Sequence, residues 1–171
     1  MWKMLRQIGR IGLVTEAPPA ADPALLQTRL HEDMHRVFGR ALCIRHVDAG
    51  SCNGCELEIH ALSNPYYNLE GLGLKFVASP RHADALLVTG PVSRHMAEAL
   101  QRTYDATPEP KRVIAVGDCG VCGGVFGESS YANLGGIAQV IPVDVTVAGC
   151  PPSPTALLQG ILSAVQRQPA R

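Results

Sequence analysis

Ala41-Leu-Cys-Ile-Arg-His-Val-Asp-Ala-Gly-Ser-Cys-Asn-Gly-Cys-Glu-Leu-Glu-Ile-His-Ala-Leu62 is the stretch on which the fold turns. Ala41–Val47 reads as a strand, Gly50–Cys55 as a turn, and a helix follows from about Glu56 to Leu62. The same grammar recurs downstream. Leu74–Ala78 and Asp84–Thr89 read as two more strands, and a helix follows from Ser93 to Tyr104. Arg112–Gly117 and Val143–Ala148 are β-branched strands, and Ser153–Arg167 is a final helix. Pro154 stands near its start, where a missing N–H does no harm. Short apolar strands alternating with helices indicate an α/β fold built on a parallel sheet.

Working outward from that core, the chain divides at residue 40. Residues 41–171 form the α/β domain, and residues 1–40 are an N-terminal helical extension with a linker. In the extension, Met1, Met4, Leu5, Ile8 and Ile11 share one helical face, with Lys3, Arg6 and Arg10 opposite and Trp2 at the stripe's edge. That helix would rest on a membrane interface, on a partner or on the rest of the domain. Residues 16–24 are a Pro/Ala linker that ends any helix, and a second amphipathic segment spans about 24–38 before Gly39.

The composition is globular, with 46% apolar and 18% charged residues among 171. Fifteen basic side chains balance fifteen acidic ones, so no global field draws in nucleic acid or anionic lipid. Zero net charge with a mean hydropathy of +0.08 suits a surface partly covered by other subunits. No apolar run approaches the roughly 18 residues of a membrane span. Gln7, Gly9 and Arg10 interrupt any secretory apolar core, so an intracellular chain is expected. Its six cysteines then read as metal ligands, redox groups or core filler rather than disulfides.

Cys52, Cys119 and Cys150 each lie just past the C-terminal end of an expected strand. In open α/β sheets that edge is where ligands bind, so distant segments are expected to converge there. Cys52-Asn-Gly-Cys55 puts two thiolates on one tight turn, with Gly54 expected to supply the backbone freedom that aims both at one centre. Cys119 belongs to Gly117-Asp-Cys-Gly-Val-Cys-Gly-Gly124. Glycines there, Gly120 among them, let amides approach sulfide closely, and N–H···S bonds raise a cluster's potential. Cys150 precedes Pro151-Pro152, which fixes the chain and screens one face from water.

Alternatives stand beside this reading. Zinc could use Cys52/Cys55 with Cys119/Cys122, although zinc knuckles usually lie much closer in sequence and Cys150 would go unexplained. A thioredoxin-like dithiol at Cys52/Cys55 leaves both Cys119 and Cys150 without a role. Cys43, inside a strand, is expected as a buried apolar residue. Cys122 is open between spare thiol, substitute ligand and filler. His31, His35 and His46 have no spacing partners that suggest a metal, and His31/His35 read as a solvated helix face.

Four ordered motifs carry a resemblance: Ser51-Cys-Asn-Gly-Cys-Glu-Leu-Glu-Ile59, Ser79-Pro-Arg-His-Ala-Asp-Ala-Leu-Leu-Val-Thr-Gly-Pro91, Gly117-Asp-Cys119 with Gly123-Gly124, and Val143-Asp-Val-Thr-Val-Ala-Gly-Cys-Pro-Pro152. From about residue 41 to 165 the chain resembles the small electron-transfer subunit shared by [NiFe]-hydrogenases and respiratory complex I. That resemblance implies a flavodoxin-like sheet flanked by helices and one 4Fe–4S cluster held by Cys52, Cys55, Cys119 and Cys150. Cys122 falls at a variable position of the family's third motif. Arg81 aligns with an arginine beside the cluster in complex I relatives, where a cation would stabilise the reduced state. Gly54, Glu58 and Gly120 would surround the same group, and Glu56 or Glu58 would be candidates for proton movement. His82 and Asp84 are expected to orient their turn.

The spaced Cys-Asn-Gly-Cys is similar to hydrogenases rather than to the adjacent cysteines of complex I. A one-cluster chain of this kind looks most like the small subunit of energy-converting, membrane-bound hydrogenases of formate hydrogenlyase type. The implied partners are a large subunit with a nickel or quinone site, a ferredoxin-like iron–sulfur subunit and membrane subunits, at the cytoplasmic face of the cell membrane. The chain would transfer electrons without bond chemistry of its own. A quinone-reducing complex is the alternative within the class, and a zinc-stabilised structural or assembly module the alternative outside it.

Overall fold

The structure, a computed structural model, describes residues 40–127 and 130–166, together with Leu25, Thr28, Arg29 and Glu32. The expected helix at 1–14, the linker at 16–24 and the histidines 31 and 35 lie outside the described residues. Of the expected segment 24–38, the four described residues are helical and exposed.

Five strands form one parallel sheet: β1 (Leu42–Asp48), β2 (Leu74–Phe76), β3 (Ala85–Thr89), β4 (Arg112–Val116) and β5 (Val145–Val147). Their order is β2-β1-β3-β4-β5, the flavodoxin-like order of doubly wound sheets. Among the described residues from 40 onward, four α-helices accompany them: α1 (Gly54–Ala61), α2 (Arg94–Ala106), α3 (Gly117–Cys122) and α4 (Pro154–Gln166). The five strands and the three helices expected after residue 40 are present. β2 and β5 are each three residues long, shorter than their apolar runs, because both are edge strands paired on one side only.

Alternation along the strands splits the core in two, since neighbouring side chains point to opposite faces. Leu42, Ile44, Leu87 and Ile114 face α1 and α4, meeting Ile59, Leu157 and Ile161. Val47, Leu86, Val88, Val113 and Ala115 face the other way, meeting Leu100, Ile137 and Ile141. β3 is central and buried along its whole length, as its continuous run Ala-Leu-Leu-Val-Thr demands. Helix ends follow ordinary capping chemistry. Ser93 Oγ accepts from the Met96 N–H, and Ser153 Oγ accepts from the Ala156 N–H one residue before Pro154.

One element departs from the sequence expectation. The Gly117–Gly124 segment, a glycine-rich turn on its composition, winds into the short helix α3 directly at the end of β4. Gly117 at φ +80° makes the sharp exit from β4 that lets the helix start at the sheet edge.

Candidate metal centre

Three crossovers end at the same edge. β1 delivers the loop before Cys52, β4 delivers α3 with Cys119, and β5 delivers Gly149-Cys150. Register fixes their level, because Asp48 pairs with Thr89, Thr89 with Val116, and Val116 with Val147. All four residues end their strands together, so the segments leaving them share one rim.

Local chemistry then holds each loop. Asp48 Oδ1 accepts from the N–H groups of Gly50 and Ser51, both at 2.8 Å, which folds the chain back towards Cys52. Burial pushes the Asp48 carboxyl up, but these amide bonds outweigh it and hold the group below its ordinary range. Asn53 at φ +72°, not Gly54, takes the left-handed conformation between the two cysteines. Asparagine tolerates that region, and Gly54 begins α1 with ordinary helical backbone. On the second loop, Gly149 N–H donates to Asp118 Oδ1 at 2.7 Å, while Asp118 N–H donates to the Gly149 carbonyl at 2.9 Å. This pair staples the Cys119 loop to the Cys150 loop. In the sequence Asp118 stands out only as a member of its motif. The signal available for its role is its position two residues after a strand and directly before a cysteine.

Cys52, Cys55, Cys119 and Cys150 line one cavity of about 110 Å³, with Gly54, Asp118 and Pro151 among its walls. Two glycines keep it open. A Cβ on Gly117 would lie 2.7 Å from Cys55 Sγ, and one on Gly124 would lie 2.7 Å from Cys119 Sγ. The sulfurs sense one another electrostatically. Burial, then Glu56, then Cys52, Cys119 and Cys150 push the Cys55 thiol up to about 12. Burial and Cys150 also raise Cys119, against a lowering hydrogen bond from the Val125 backbone N–H. That N–H···S contact is of the kind expected for the glycine-rich segment. Cys52 and Cys150 are exposed, while Cys55 and Cys119 are half-buried.

These four thiols suit a soft, polynuclear centre. They surround a volume rather than a point, and among the described residues no three His, Cys, Asp or Glu side chains converge on a single ion position. Burial, with the neighbouring charges, raises the Cys55 and Cys119 thiols, so thiolates at these two positions are costly without a cation, and an iron–sulfur group would relieve that cost. The residues present fit such a group.

The remaining candidates sit elsewhere. Cys122 Sγ is exposed, lies 3.3 Å from the Asp118 carbonyl oxygen and does not line the cavity. Cys43 is in β1 as expected but only half-buried. Arg81 lies in an exposed 3₁₀ turn, Pro80–His82, ahead of β3 and does not line the cavity. Glu58 is half-exposed outside it as well. Gly120 is buried, and a Cβ there would meet Ile137 Cδ1 at 2.9 Å, so its smallness seats α3 on the core rather than serving a sulfur. Asp84 does organise its segment, accepting from the Cys43 N–H at 2.9 Å and from Arg40. Glu56 is buried; its Oε1 lies 3.7 Å from His46 Nε2, and neither oxygen has a hydrogen-bond partner. His46 Nε2 lies 3.1 Å from Thr89 Oγ1. Burial lowers the His46 pKa, against the opposing pull of Glu56 and Asp48.

Among the described residues no helix is long and apolar enough to cross a membrane. A probable membrane-bound hydrogenase subunit of Pyrococcus furiosus is 48% identical over 132 residues, covering 77% of this chain and 78% of that one. Formate hydrogenlyase subunit 7 of Escherichia coli is 45% identical over 126 residues, covering 74% of this chain but 49% of that protein. Among solved structures, a chain of an archaeal membrane-bound sulfane sulfur reductase superposes with a TM-score of 0.64 at 31% identity, covering 85% of this chain and 75% of that one. The family model for the 20 kDa subunit of NADH ubiquinone oxidoreductase matches residues 52–164, a span that contains all four cavity cysteines. The chain therefore belongs to the NADH ubiquinone oxidoreductase 20 kDa subunit family, a family of oxidoreductase subunits that includes hydrogenase relatives.

Proposed function

We propose that Cys52, Cys55, Cys119 and Cys150 hold one 4Fe–4S cluster and that the chain relays electrons inside a membrane-associated oxidoreductase. The observation that carries this reading is the meeting of four sulfurs from three separate segments around one cavity at the sheet's C-terminal edge. Such a cluster supplies one-electron transfer without a bond-forming step. The chain's own residues do the rest. Asp48 and Asp118 hold the loops in register, and Gly117 and Gly124 leave the sulfurs their space. The Val125 amide lowers the charge burden on Cys119.

The partner is a large subunit of energy-converting [NiFe]-hydrogenase type, fed by a ferredoxin-like subunit, with the assembly on the cytoplasmic face of the membrane. Likeness to the hydrogenase relatives and the spaced Cys-Asn-Gly-Cys favour this branch. Exposed Val125 and Phe126, beside Cys119, fit a surface covered by that subunit. The family description favours a second reading, in which the large subunit reduces a quinone. The anaerobically purified chain should be brown and should bleach on reduction. A colourless protein holding zinc would overturn the cluster, and quinone reduction without hydrogen turnover would select the second reading.

A further inference from the structure

The carboxyl groups nearest the cavity cysteines in sequence are Asp48, Glu56, Glu58 and Asp118. Their surroundings differ. Asp48 accepts from two amides and Asp118 from the Gly149 N–H, so donor dipoles offset much of each charge. Glu58 is half-exposed, where water screens it. Glu56 has neither form of relief. It follows Cys55 directly on α1, is 7% exposed, and neither of its carboxyl oxygens has a hydrogen-bond partner among the described residues. Its neighbour His46 stands with Nε2 at 3.7 Å from Oε1, beyond hydrogen-bond reach. Burial lowers the His46 pKa from its ordinary 6.5, so the imidazole is neutral above that pH and offers no counter-charge.

A buried carboxylate without donors is unfavourable where it stands. An unsatisfied group of that kind in a native fold calls for an explanation, and a redox role is one. Its field is felt at Cys55. Among the neighbouring charges that act on that thiol, Glu56 comes first, ahead of Cys52, Cys119 and Cys150. A negative charge beside a centre that gains an electron disfavours the more negative, reduced state. Acting through buried protein, the charge is screened far less than one in water. Arg81, the cation that the sequence singles out for the opposite effect, lies on an exposed turn and does not line the cavity.

We propose that Glu56 sets the reduction potential of the group held at Cys55, keeping it low through an uncompensated negative charge. The proposal rests on the reading of the four cysteines as cluster ligands. It gives Glu56 a tuning role that is distinct from ligation.

The test is a redox titration of the anaerobically purified chain at about pH 8, where His46 is neutral, followed by EPR of the reduced cluster. Glu56→Gln keeps the shape of the side chain and removes its charge. At an effective dielectric of about 20, a unit charge within about 10 Å changes the equilibrium by about tenfold or more. The potential of Glu56→Gln should therefore rise by at least about 59 mV, the one-electron equivalent of tenfold. Glu56→Met, apolar and similar in volume, is a second neutral variant that leaves no buried amide unpaired, and the same rise is expected. Glu56→Asp retains the charge and should stay closer to the wild type than to Glu56→Gln. Glu58→Gln removes a screened charge and should move the potential far less. Unchanged potentials in both neutral variants overturn the proposal. So does an equal rise in Glu56→Asp, which would ascribe the shift to a disturbed loop, or in Glu58→Gln, which would make burial irrelevant. Iron content is read on every sample. A brown wild-type chain with unmoved variants removes the tuning role alone, whereas a colourless wild-type chain removes the cluster reading and the tuning role with it.

Discussion

Asp118 and Gly149 are joined twice, by a 2.7 Å bond from the Gly149 N–H to Asp118 Oδ1 and a 2.9 Å bond from the Asp118 N–H to the Gly149 carbonyl. The pair bridges segments far apart in sequence and sets the Cys119 loop against the Cys150 loop. Asp118→Ala removes a charge-assisted acceptor and should cost about 1.5–3 kcal/mol. Asp118→Asn keeps an acceptor oxygen and should cost clearly less. Denaturant unfolding gives both values, and iron content per chain should fall in the same order. Equal behaviour of the two variants would mean that the side-chain bond is not what holds the loops.

Gly117 and Gly124 test whether the space between sulfurs is itself required. A Cβ at either would stand 2.7 Å from a cysteine sulfur, at φ +80° and +52° respectively. Gly127 is the control. It too has a left-handed φ, +75°, but nothing lies within 4 Å of an added Cβ. Strain alone costs about 1–3 kcal/mol at such a backbone conformation, so Gly127→Ala should lower stability by about that and leave cluster loading intact. Gly117→Ala and Gly124→Ala should lose most of the visible absorption as well. Full absorption in both would show that the sulfurs can shift to accommodate a methyl group.

The sheet is legible in the sequence because its apolar runs end in turn residues, and the core strand β3 is too continuously apolar to be anything exposed. The meeting of Cys52, Cys119 and Cys150 is also legible, since each follows a strand and parallel strands end on one edge. Conformation within the loops is not. Asn53 rather than Gly54 takes the left-handed turn, and Gly117 opens a helix where a glycine-rich turn is expected. Gly120 faces Ile137 instead of sulfur. Such choices depend on what packs across the rim, which no local pattern records.

Asp48 gives a pH signature of its own. Its carboxyl titrates below the ordinary value of 3.8 because the Ser51 and Gly50 amides favour the charged form more than burial opposes it. A group whose folded pKa is depressed contributes stability above its unfolded pKa and loses it as pH falls through the folded one. The wild type should therefore exceed Asp48→Asn in stability at neutral pH, and the gap should close as pH drops below about 3.8. Paired acid-unfolding curves check this. A gap that persists unchanged at pH 2 would assign the difference to something other than the Asp48 charge.

Cys119 and Cys122 stand three residues apart on one short helix, yet only Cys119 lines the cavity. Cys122 instead puts its sulfur 3.3 Å from the Asp118 carbonyl, one turn back along α3. If four thiolates are what the proposed cluster needs, exchange at the two positions should have opposite outcomes. Cys119→Ser and Cys150→Ser should abolish the EPR signal of the reduced cluster in the anaerobically purified chain. Cys122→Ser should leave its line shape and spin count unchanged, since the hydroxyl can keep the same carbonyl contact. Loss of signal in all three variants would place Cys122 among the ligands and require α3 to rotate from the position described. Retention in all three would remove the cluster from this cavity altogether.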